Sequence, residues 1–437
     1  MAAQQTRLAF YADDFTGATD TLSTLARAGY RTLLFLRIPT PQQLQDAGAL
    51  DCLGIAGAAR AMNGQEQDAE LETAGQFLRQ IAAPVTHYKT CSTFDSSPDI
   101  GSIGRAVRTL RKQLGAGDFV PIVGGQPNLG RYCVFGNLFA AFQTGGAAFR
   151  IDRHPTMSRH PVTPMHEADL RLHLAEQGLS QLGLVQYPSY ELDEPELDQL
   201  LQQTIADHPD GVLFDVGASA HLVKVGRAIW QRASEQSLLA VGASSVAQAL
   251  IAHWEASGTG VDSTQSKSIA TAEGPVFVMS GSRSPVTAGQ IAAATSYERI
   301  PMEAAVLCED AGAAYESILA RVVAGLSEGR HVLAYVADTP AQGRVVGASE
   351  LAQACGRFLA RVLAASQPRR VGVAGGDTSS LALKTLDAWG LSYEGQIDPG
   401  AALCRIHSDL DYLSGVEIML KGGQMGSDQV FEKLIAA

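Results

Sequence analysis

The chain has 437 residues, 46% of them hydrophobic and 18% charged, with 44 glycines and a formal net charge of −12. That composition is wrong for a disordered chain and ordinary for a turn-rich α/β protein, and the length favours two domains over a single core. With an acidic balance and no lysine or arginine run, the sequence argues against a nucleic-acid or acidic-membrane surface, because counterion release needs a clustered basic footprint.

Short apolar runs alternate with amphipathic stretches of helical length, which is the βαβ pattern of a mostly parallel sheet. Strands are expected at Leu8–Ala12, Thr32–Leu36, Cys52–Ala56, Val85–Lys89, Val120–Val123, Leu182–Val185 and Val212–Val216. Between them, helices are expected at Ala18–Ala28, Glu66–Ile81, Ile103–Leu114, Ala168–Glu176 and Leu222–Ala233. Residues 256–273 lose the apolar periodicity and fill with Ser, Thr and Gly. They read as a linker between an N-terminal domain, 1–255, and a C-terminal domain, 274–437. In the second domain strands are expected at Val276–Ser280, Val332–Tyr335, Val371–Ala374 and Val416–Leu420, with helices at Pro285–Ala294, Ala348–Ala365, Leu381–Trp389 and Asp428–Ile435.

The cysteines Cys52, Cys91, Cys133, Cys308, Cys355 and Cys404 lie far apart with no C-x-x-C pair, as expected for free thiols in a reducing compartment. The opening "MAAQQTRLAFYADD" has neither a basic start with a long apolar run nor a small-residue cleavage site, and no stretch of about eighteen apolar residues occurs. A cytoplasmic location is the expectation.

In open parallel sheets ligands bind beyond the carboxyl ends of the strands, so the residues just after each expected strand form the candidate sites. In the first domain these are Asp13 and Asp14, Arg60, and "KTCSTFDSS" from Lys89 to Ser97. Such a mixture suits a small polyhydroxy acid, with Arg60 or Lys89 on the carboxylate and Ser92, Thr93 and Asp95 on hydroxyls. One aspartate would act as general base toward a substrate alcohol. The plainer alternative is that Asp14 or Thr16 only caps the following helix. Two adjacent carboxylates exceed what one cap requires.

In the second domain the corresponding stretches are "MSGSRSP" (Met279 to Pro285), "VAGGDTSS" (Val373 to Ser380) and "LKGGQMGS" (Leu420 to Ser427). Each follows an apolar run, exposes backbone N–H groups through small residues and leads toward a helix, the arrangement that holds phosphate. Tight βα turns alone would also explain any one of these loops. No G-x-x-x-x-G-K-[ST] occurs, and "GVAGGD" lacks the G-x-G-x-x-G spacing, so the Walker and dinucleotide folds are disfavoured. In "RHPTMSRHPVTPMHEADLRLHL", His154, His160 and His166 are six residues apart among prolines, a poor spacing for metal ligands, and no metal site is expected.

Together, "ADDFTGATD", "YKTCSTFDSS", "RHPVTPM", "GGDTS" and "KGGQMG" resemble, in order and across nearly the whole chain, the four-carbon acid sugar kinase family. The resemblance implies an α/β fold of two domains, each a mostly parallel sheet flanked by helices, with the active site in the interdomain cleft. It implies that Asp14, Arg60, Lys89, Thr90, Cys91 and Ser92 contact a sugar acid. It also implies that Ser282, Gly375, Gly376, Asp377, Thr378, Gly422, Gly423, Gln424 and Met425 contact ATP.

The implied activity is transfer of the ATP γ-phosphoryl group to the 4-hydroxyl of D-threonate, D-erythronate or 3-oxo-tetronate, with Mg²⁺ assisting. Asp14, then Asp13, is the candidate base, and Asp377 competes with them. The loop "GSIG" (Gly101 to Gly104) departs from the "GNIG" associated with the 3-oxo-tetronate enzymes, and so leans toward the two aldonates. The rival readings are a non-catalytic sensor of sugar acid and nucleotide, and a hydrolase or synthase on similar acids. The expected partners are small molecules, without nucleic acid or membrane, and a homodimer is left open.

Overall fold

The computed structural model describes residues 6–117, 119–142, 145–261, 269–337 and 346–436. The chain divides into two units, Met1–Thr264 and Gln265–Ala437. Residues 262–268 of the expected linker lie outside the described residues.

The first unit runs β1 (Leu8–Ala12), α1 (Phe15–Arg27), β2 (Thr32–Phe35), α2 (Pro41–Ala47), β3 (Cys52–Ala56), α3 (Gly64–Ile81), β4 (Val85–Lys89), α4 (Ile103–Leu114) and β5 (Pro121–Val123). It continues through β6 (Arg131–Val134), β7 (Asn137–Ala141), β8 (Ala148–Arg150), α5 (Leu170–Ala175), β9 (Leu182–Val185), α6 (Glu194–Ala206), β10 (Gly211–Phe214), α7 (Leu222–Glu235), β11 (Leu238–Gly242) and α8 (Ser245–Ala256). Its main sheet has the order β2-β3-β1-β4-β11-β5-β10-β9, with every pair parallel.

Helices cover both faces, so central strands such as "LAFYA" are buried along their whole length and show no alternation. The helix starts are written locally. Asp14, Asn63, Ser102 and Asp193 each accept backbone N–H groups at the first turn of α1, α3, α4 and α6. Strands β6, β7 and β8 form a separate antiparallel sheet, which the alternation does not predict.

Register is what positions the site. Ala12 stands opposite both Ala56 and Lys89, Lys89 opposite Gly242, and Gly242 opposite Val123. The carboxyl ends of β3, β1, β4, β11 and β5 therefore finish in one row, and the residues after them share an edge.

The second unit comprises β12 (Val276–Ser280), α9 (Pro285–Ala293), β13 (Tyr297–Met302), α10 (Ala304–Glu309), α11 (Ala313–Ser327), β14 (His331–Val336), α12 (Ala348–Ser366), β15 (Arg370–Ala374), α13 (Gly376–Thr385), β16 (Ala388–Asp398), β17 (Ala401–Ser408), β18 (Glu417–Lys421) and α14 (Val430–Ala436). The strand order is β13-β14-β12-β15-β18-β17-β16, parallel through β18 and antiparallel beyond it. Val276, Val278, Leu333, Met419, Phe431 and Leu434 build the core behind it.

The expected helix Leu381–Trp389 is corrected here. The helix begins at Gly376 and ends at Thr385, while Ala388 and Trp389 open strand β16, with Ala388 opposite Ser408 of β17. Pairing within the β16–β17 hairpin outweighs the helical pattern. Its turn, Asp398-Pro399-Gly400-Ala401, is itself a sequence signal, with proline followed by a glycine at φ +75°. No described helix is long and apolar enough to cross a membrane.

Candidate functional site

In the first unit the turn from β1 to α1 answers the question of the paired aspartates. Asp14 is the N-cap of α1, and its Oδ1 accepts the Gly17 N–H at 2.9 Å. Its side chain keeps 27% of its surface in solvent, and Oδ2 has no partner among the described residues. Asp13 is 1% exposed. Arg60, in a single 3₁₀ turn after β3, donates from Nη2 to Asp13 Oδ1 at 2.8 Å and from Nε to Oδ2 at 3.3 Å, and its Nη2 also lies 3.0 Å from Asp14 Oδ1. Thr90 Oγ1 donates to Asp13 Oδ2 at 3.1 Å. Burial pushes the Asp13 carboxyl above the usual range and the Arg60 guanidinium opposes it, while the charge of Asp14 adds to the rise.

Lys89 ends β4, is 3% exposed and donates from Nζ to the Thr90 carbonyl at 2.8 Å. A Cβ placed on Gly17 would stand 2.4 Å from Lys89 Nζ and 2.5 Å from Asp14 Oδ1, so the ammonium lies against the first turn of α1. Asp14, Arg60 and Lys89 are thus brought together. Cys91 and Ser92 are half-buried beside them.

The hydroxyl of Thr90 is used on Asp13, and Thr93 pairs with Asp95, Oγ1 to Oδ1 at 2.5 Å, with both side chains buried. Behind this loop, Ser96 Oγ lies 3.0 Å from His173 Nε2 and accepts from Gln177 Nε2 at 2.9 Å. Burial holds the His173 imidazole below its usual range, which keeps it a neutral anchor.

Two further polar residues reach the same row of strand ends and escape the sequence reading. Ser244, two residues beyond β11, donates to Asp20 Oδ2 at 2.5 Å and sits 3.0 Å from Thr21 Oγ1. Gln126, beyond β5, reaches Asp20 Oδ2 at 3.4 Å. The available signal was "LLAVGASS", an apolar run followed by small hydroxyl residues, at a strand the alternation passes over.

The histidine-proline stretch has a structural use. The Nδ1 atoms of His154 and His160 accept backbone N–H groups two or three residues on, at 3.1–3.2 Å, and so close two successive turns. His166 is exposed, and among the described residues no three His, Cys, Asp or Glu side chains group as metal donors. Ser102 of "GSIG" is 2% exposed and caps α4 by accepting the Arg105 N–H at 3.2 Å. Serine and asparagine cap helices equally well. That position therefore reports on a helix start.

In the second unit the ends of β12, β15 and β18 are level, with Ser280 opposite Ala374 and Ala374 opposite Lys421. Gly281 and Ser282 donate from their backbone N–H groups to the Ala374 carbonyl, and Gly375 donates to that of Lys421. A Cβ on Gly423 would meet Ser282 Oγ at 2.6 Å, and a Cβ on Gly281 or Gly375 would meet Thr378 Oγ1 at 2.4 or 2.7 Å. Ser282, Gly375, Thr378, Gly422 and Gly423 therefore stand together, and Gly376, Gln424 and Met425 are exposed at the rim. Asp377 lies in the first turn of α13, and its side chain is outside those described.

The N–H groups of Gly423, Gln424 and Gly426 have no acceptor among the described residues. Lys421 is 1% exposed, and its Nζ donates to the Gly422 carbonyl at 3.1 Å. Burial lowers its ammonium to about 8, leaving it charged at neutral pH. Free N–H groups on a glycine-rich loop, backed by a buried cation, suit a polyphosphate.

Comparison with known proteins matches residues 8–250 to a sugar-binding N-terminal domain and residues 277–431 to a nucleotide-binding C-terminal domain. The chain is 38% identical to a 3-oxo-isoapionate kinase of Paraburkholderia graminis, over 97% of this chain and 93% of the relative. It is 31% identical to a 3-oxo-tetronate kinase of Pseudomonas fluorescens, over 97% and 95%, and 29% identical to one of Cupriavidus necator, over 99% and 97%. Two solved structures share the fold: a Haemophilus influenzae protein (23% identity, TM-score 0.78) and one from Salmonella typhimurium (24%, 0.80), each over 98% of both chains.

Proposed function

Because the chain belongs to the four-carbon acid sugar kinase family, we propose that it moves the ATP γ-phosphoryl group onto a terminal hydroxyl, the 4-hydroxyl in a four-carbon acid, of a small 3-oxo sugar acid. A kinase of acid sugars is what the names of its relatives support, and 3-oxo-isoapionate, the substrate named for the 38% identical relative, is the first compound to offer it. The earlier lean toward D-threonate and D-erythronate rested on "GSIG", whose serine caps a helix. The relatives compared above are named for 3-oxo acids, which come first in the test.

The observation that carries the reading is the cluster of Arg60, Lys89 and the half-exposed Asp14 at one strand edge. In this proposal Lys89 and Arg60 take the acid's carboxylate, and Cys91 and Ser92 line the approach. Asp14, through Oδ2, accepts the proton of the attacking hydroxyl, a role worth about 10²–10⁴ in rate. Asp13 has its oxygens occupied by Arg60 and Thr90, and is the residue that orients the guanidinium. In the second unit Ser282, Gly375, Gly376, Asp377, Thr378 and the loop Gly422 to Met425 hold the nucleotide. Mg²⁺, entering on the triphosphate, would neutralise the charge of the transferring group. Phosphoryl transfer asks mainly for alignment and charge stabilisation, and these residue types supply both.

The test is ADP release from ATP and Mg²⁺ with 3-oxo-isoapionate, 3-oxo-tetronate, D-threonate and D-erythronate in turn, with the phosphorylated acid identified by mass. The expected result is one equivalent of acid phosphate per ADP, with the highest kcat/KM on a 3-oxo acid. ADP with free phosphate and no acid phosphate would indicate a hydrolase. Binding of acid and nucleotide without ADP would indicate a sensor.

A further inference from the structure

This inference rests on the nucleotide reading of the second unit and concerns what shapes its β18 loop. From Gly422 to Ser427 the loop has its carbonyls held from one side by side chains. Lys421 Nζ donates to the Gly422 carbonyl at 3.1 Å, and Ser284 Oγ and Thr287 Oγ1 donate to that of Gly423, the latter at 2.8 Å. Gln290 Nε2 then reaches the carbonyls of Met425, Gly426 and Ser427 at 3.0, 3.0 and 3.1 Å. Ser284, Thr287 and Gln290 recur every three residues from the cap of α9, forming one stripe along the helix. Thr287 and Gln290 are fully buried.

In a planar trans peptide the C=O of one residue and the N–H of the next point in opposite directions. Anchoring the carbonyls of Gly423 and Met425 on α9 therefore turns the N–H groups of Gln424 and Gly426 away from that helix, while Lys421 on the Gly422 carbonyl sets the plane that carries the Gly423 N–H. Those are the N–H groups with no acceptor among the described residues. The next anchored carbonyl, Gly426, turns out the Ser427 N–H, and that one donates to the carboxylate Oδ2 of Asp398 at 2.9 Å. An anionic oxygen already occupies one position of the row.

We propose that Gln290, supported by Thr287 and Ser284, is a positioning residue for the nucleotide phosphates. Its amide fixes the Met425–Gly426 peptide plane, as Thr287 and Ser284 fix the Gly423–Gln424 plane, so that the N–H groups of Gly426 and Gln424 face the phosphate oxygens before the nucleotide arrives. Gln290 touches no substrate. It acts through the loop.

The experiment uses the full chain with Gln290→Met, which keeps length and volume but removes the donor, and measures ATP and ADP affinity by calorimetry beside the KM of each substrate. The expected result is a loss of at least about tenfold in nucleotide affinity and in KM for ATP, with the KM for the acid within about twofold and the melting temperature within a few degrees. Gln290→Glu adds a readout that a general packing defect would not move. Only its protonated form can donate to a carbonyl, so its nucleotide affinity should recover relative to wild type as pH falls. Should Gln290→Met not fold, Thr287→Val is read in the same way at Gly423.

Wild-type ATP affinity in Gln290→Met, or equal losses toward ATP and the acid, would overturn the role of Gln290 while leaving the kinase reading intact. Failure of the wild-type chain itself to bind ATP would sink the nucleotide reading beneath it.

Discussion

Arg60 and Asp13 face each other through two contacts, Nη2 to Oδ1 at 2.8 Å and Nε to Oδ2 at 3.3 Å, with the carboxylate sealed from solvent and the guanidinium still about one quarter exposed. The pair ties the end of β1 to the turn after β3, a tie repeated in the backbone by the Arg60 N–H on the Asp13 carbonyl at 3.1 Å. One edge of Arg60 is thereby fixed, and its Nη2 also lies 3.0 Å from Asp14 Oδ1.

Removing the guanidinium strands a buried carboxylate. Arg60→Met is expected to cost roughly 3–5 kcal/mol of stability, since only the Thr90 hydroxyl would remain on Asp13. The double variant Asp13→Asn with Arg60→Met should recover part of that loss. Urea denaturation of the three chains checks the sign, and a double variant no more stable than the single one would refute it.

Asp14 has two separable duties. Asparagine caps a helix as well as aspartate does, so Asp14→Asn should change stability by less than about 0.5 kcal/mol while turnover falls by about 10²–10⁴. Asp14→Ala should lose the same activity and about 1 kcal/mol of stability as well. If turnover in Asp14→Asn stays near wild type with acid affinity intact, Asp14 is not the base.

Gly17 sets two effects against each other. Inside a helix, Gly→Ala normally stabilises by roughly 0.5–1 kcal/mol. Here the new Cβ would stand 2.4 Å from Lys89 Nζ and 2.5 Å from Asp14 Oδ1. Because the ammonium is the mobile end of a long side chain, the expected outcome is little net change in melting temperature. The KM for the acid should rise several-fold, while the KM for ATP stays put.

Lys421 predicts a pH dependence. Its folded value is lowered from 10.5 to about 8 by burial, so the ammonium is present below about pH 8 and lost above it. In the nucleotide reading, the KM for ATP should rise as pH increases through 8, and Lys421→Met should show a weaker, flatter profile. The stability sign is opposite. Between about 8 and 10.5 the unfolded chain binds more protons than the folded one, so this residue's penalty is full below 8 and fades as pH climbs. Parallel pH series of KM and of denaturation midpoints separate the two effects.

Much of this molecule is readable one segment at a time. The runs at Leu8–Ala12, Cys52–Ala56 and Val276–Ser280 are strands as written, because a strand buried on both faces reads as a near-continuous apolar run, and Val85–Lys89 is a strand despite its buried Thr86, His87 and Lys89. The polar residues placed straight after such strands also fall where the chain order implies, and Asp13, Asp14, Arg60 and Lys89 meet at one edge. Local chemistry misled at Leu381–Trp389, where strand pairing outweighed helical spacing.

What the amino-acid order determined by itself is therefore local: the alternation of elements, their caps, and the kinds of side chain delivered to the strand ends. What only the tertiary structure decided is neighbourhood. Strand β11 inserts beside β4 although His87 and Gly242, which hydrogen-bond there, are 155 positions apart, and this insertion brings Ser244 and Gln126 to Asp20. Gln290 likewise finds the loop after β18 across more than a hundred residues. Local propensity is encoded over a few residues, whereas strand order and register are settled by the burial of whole faces against one another, a free energy shared among residues that no short window contains.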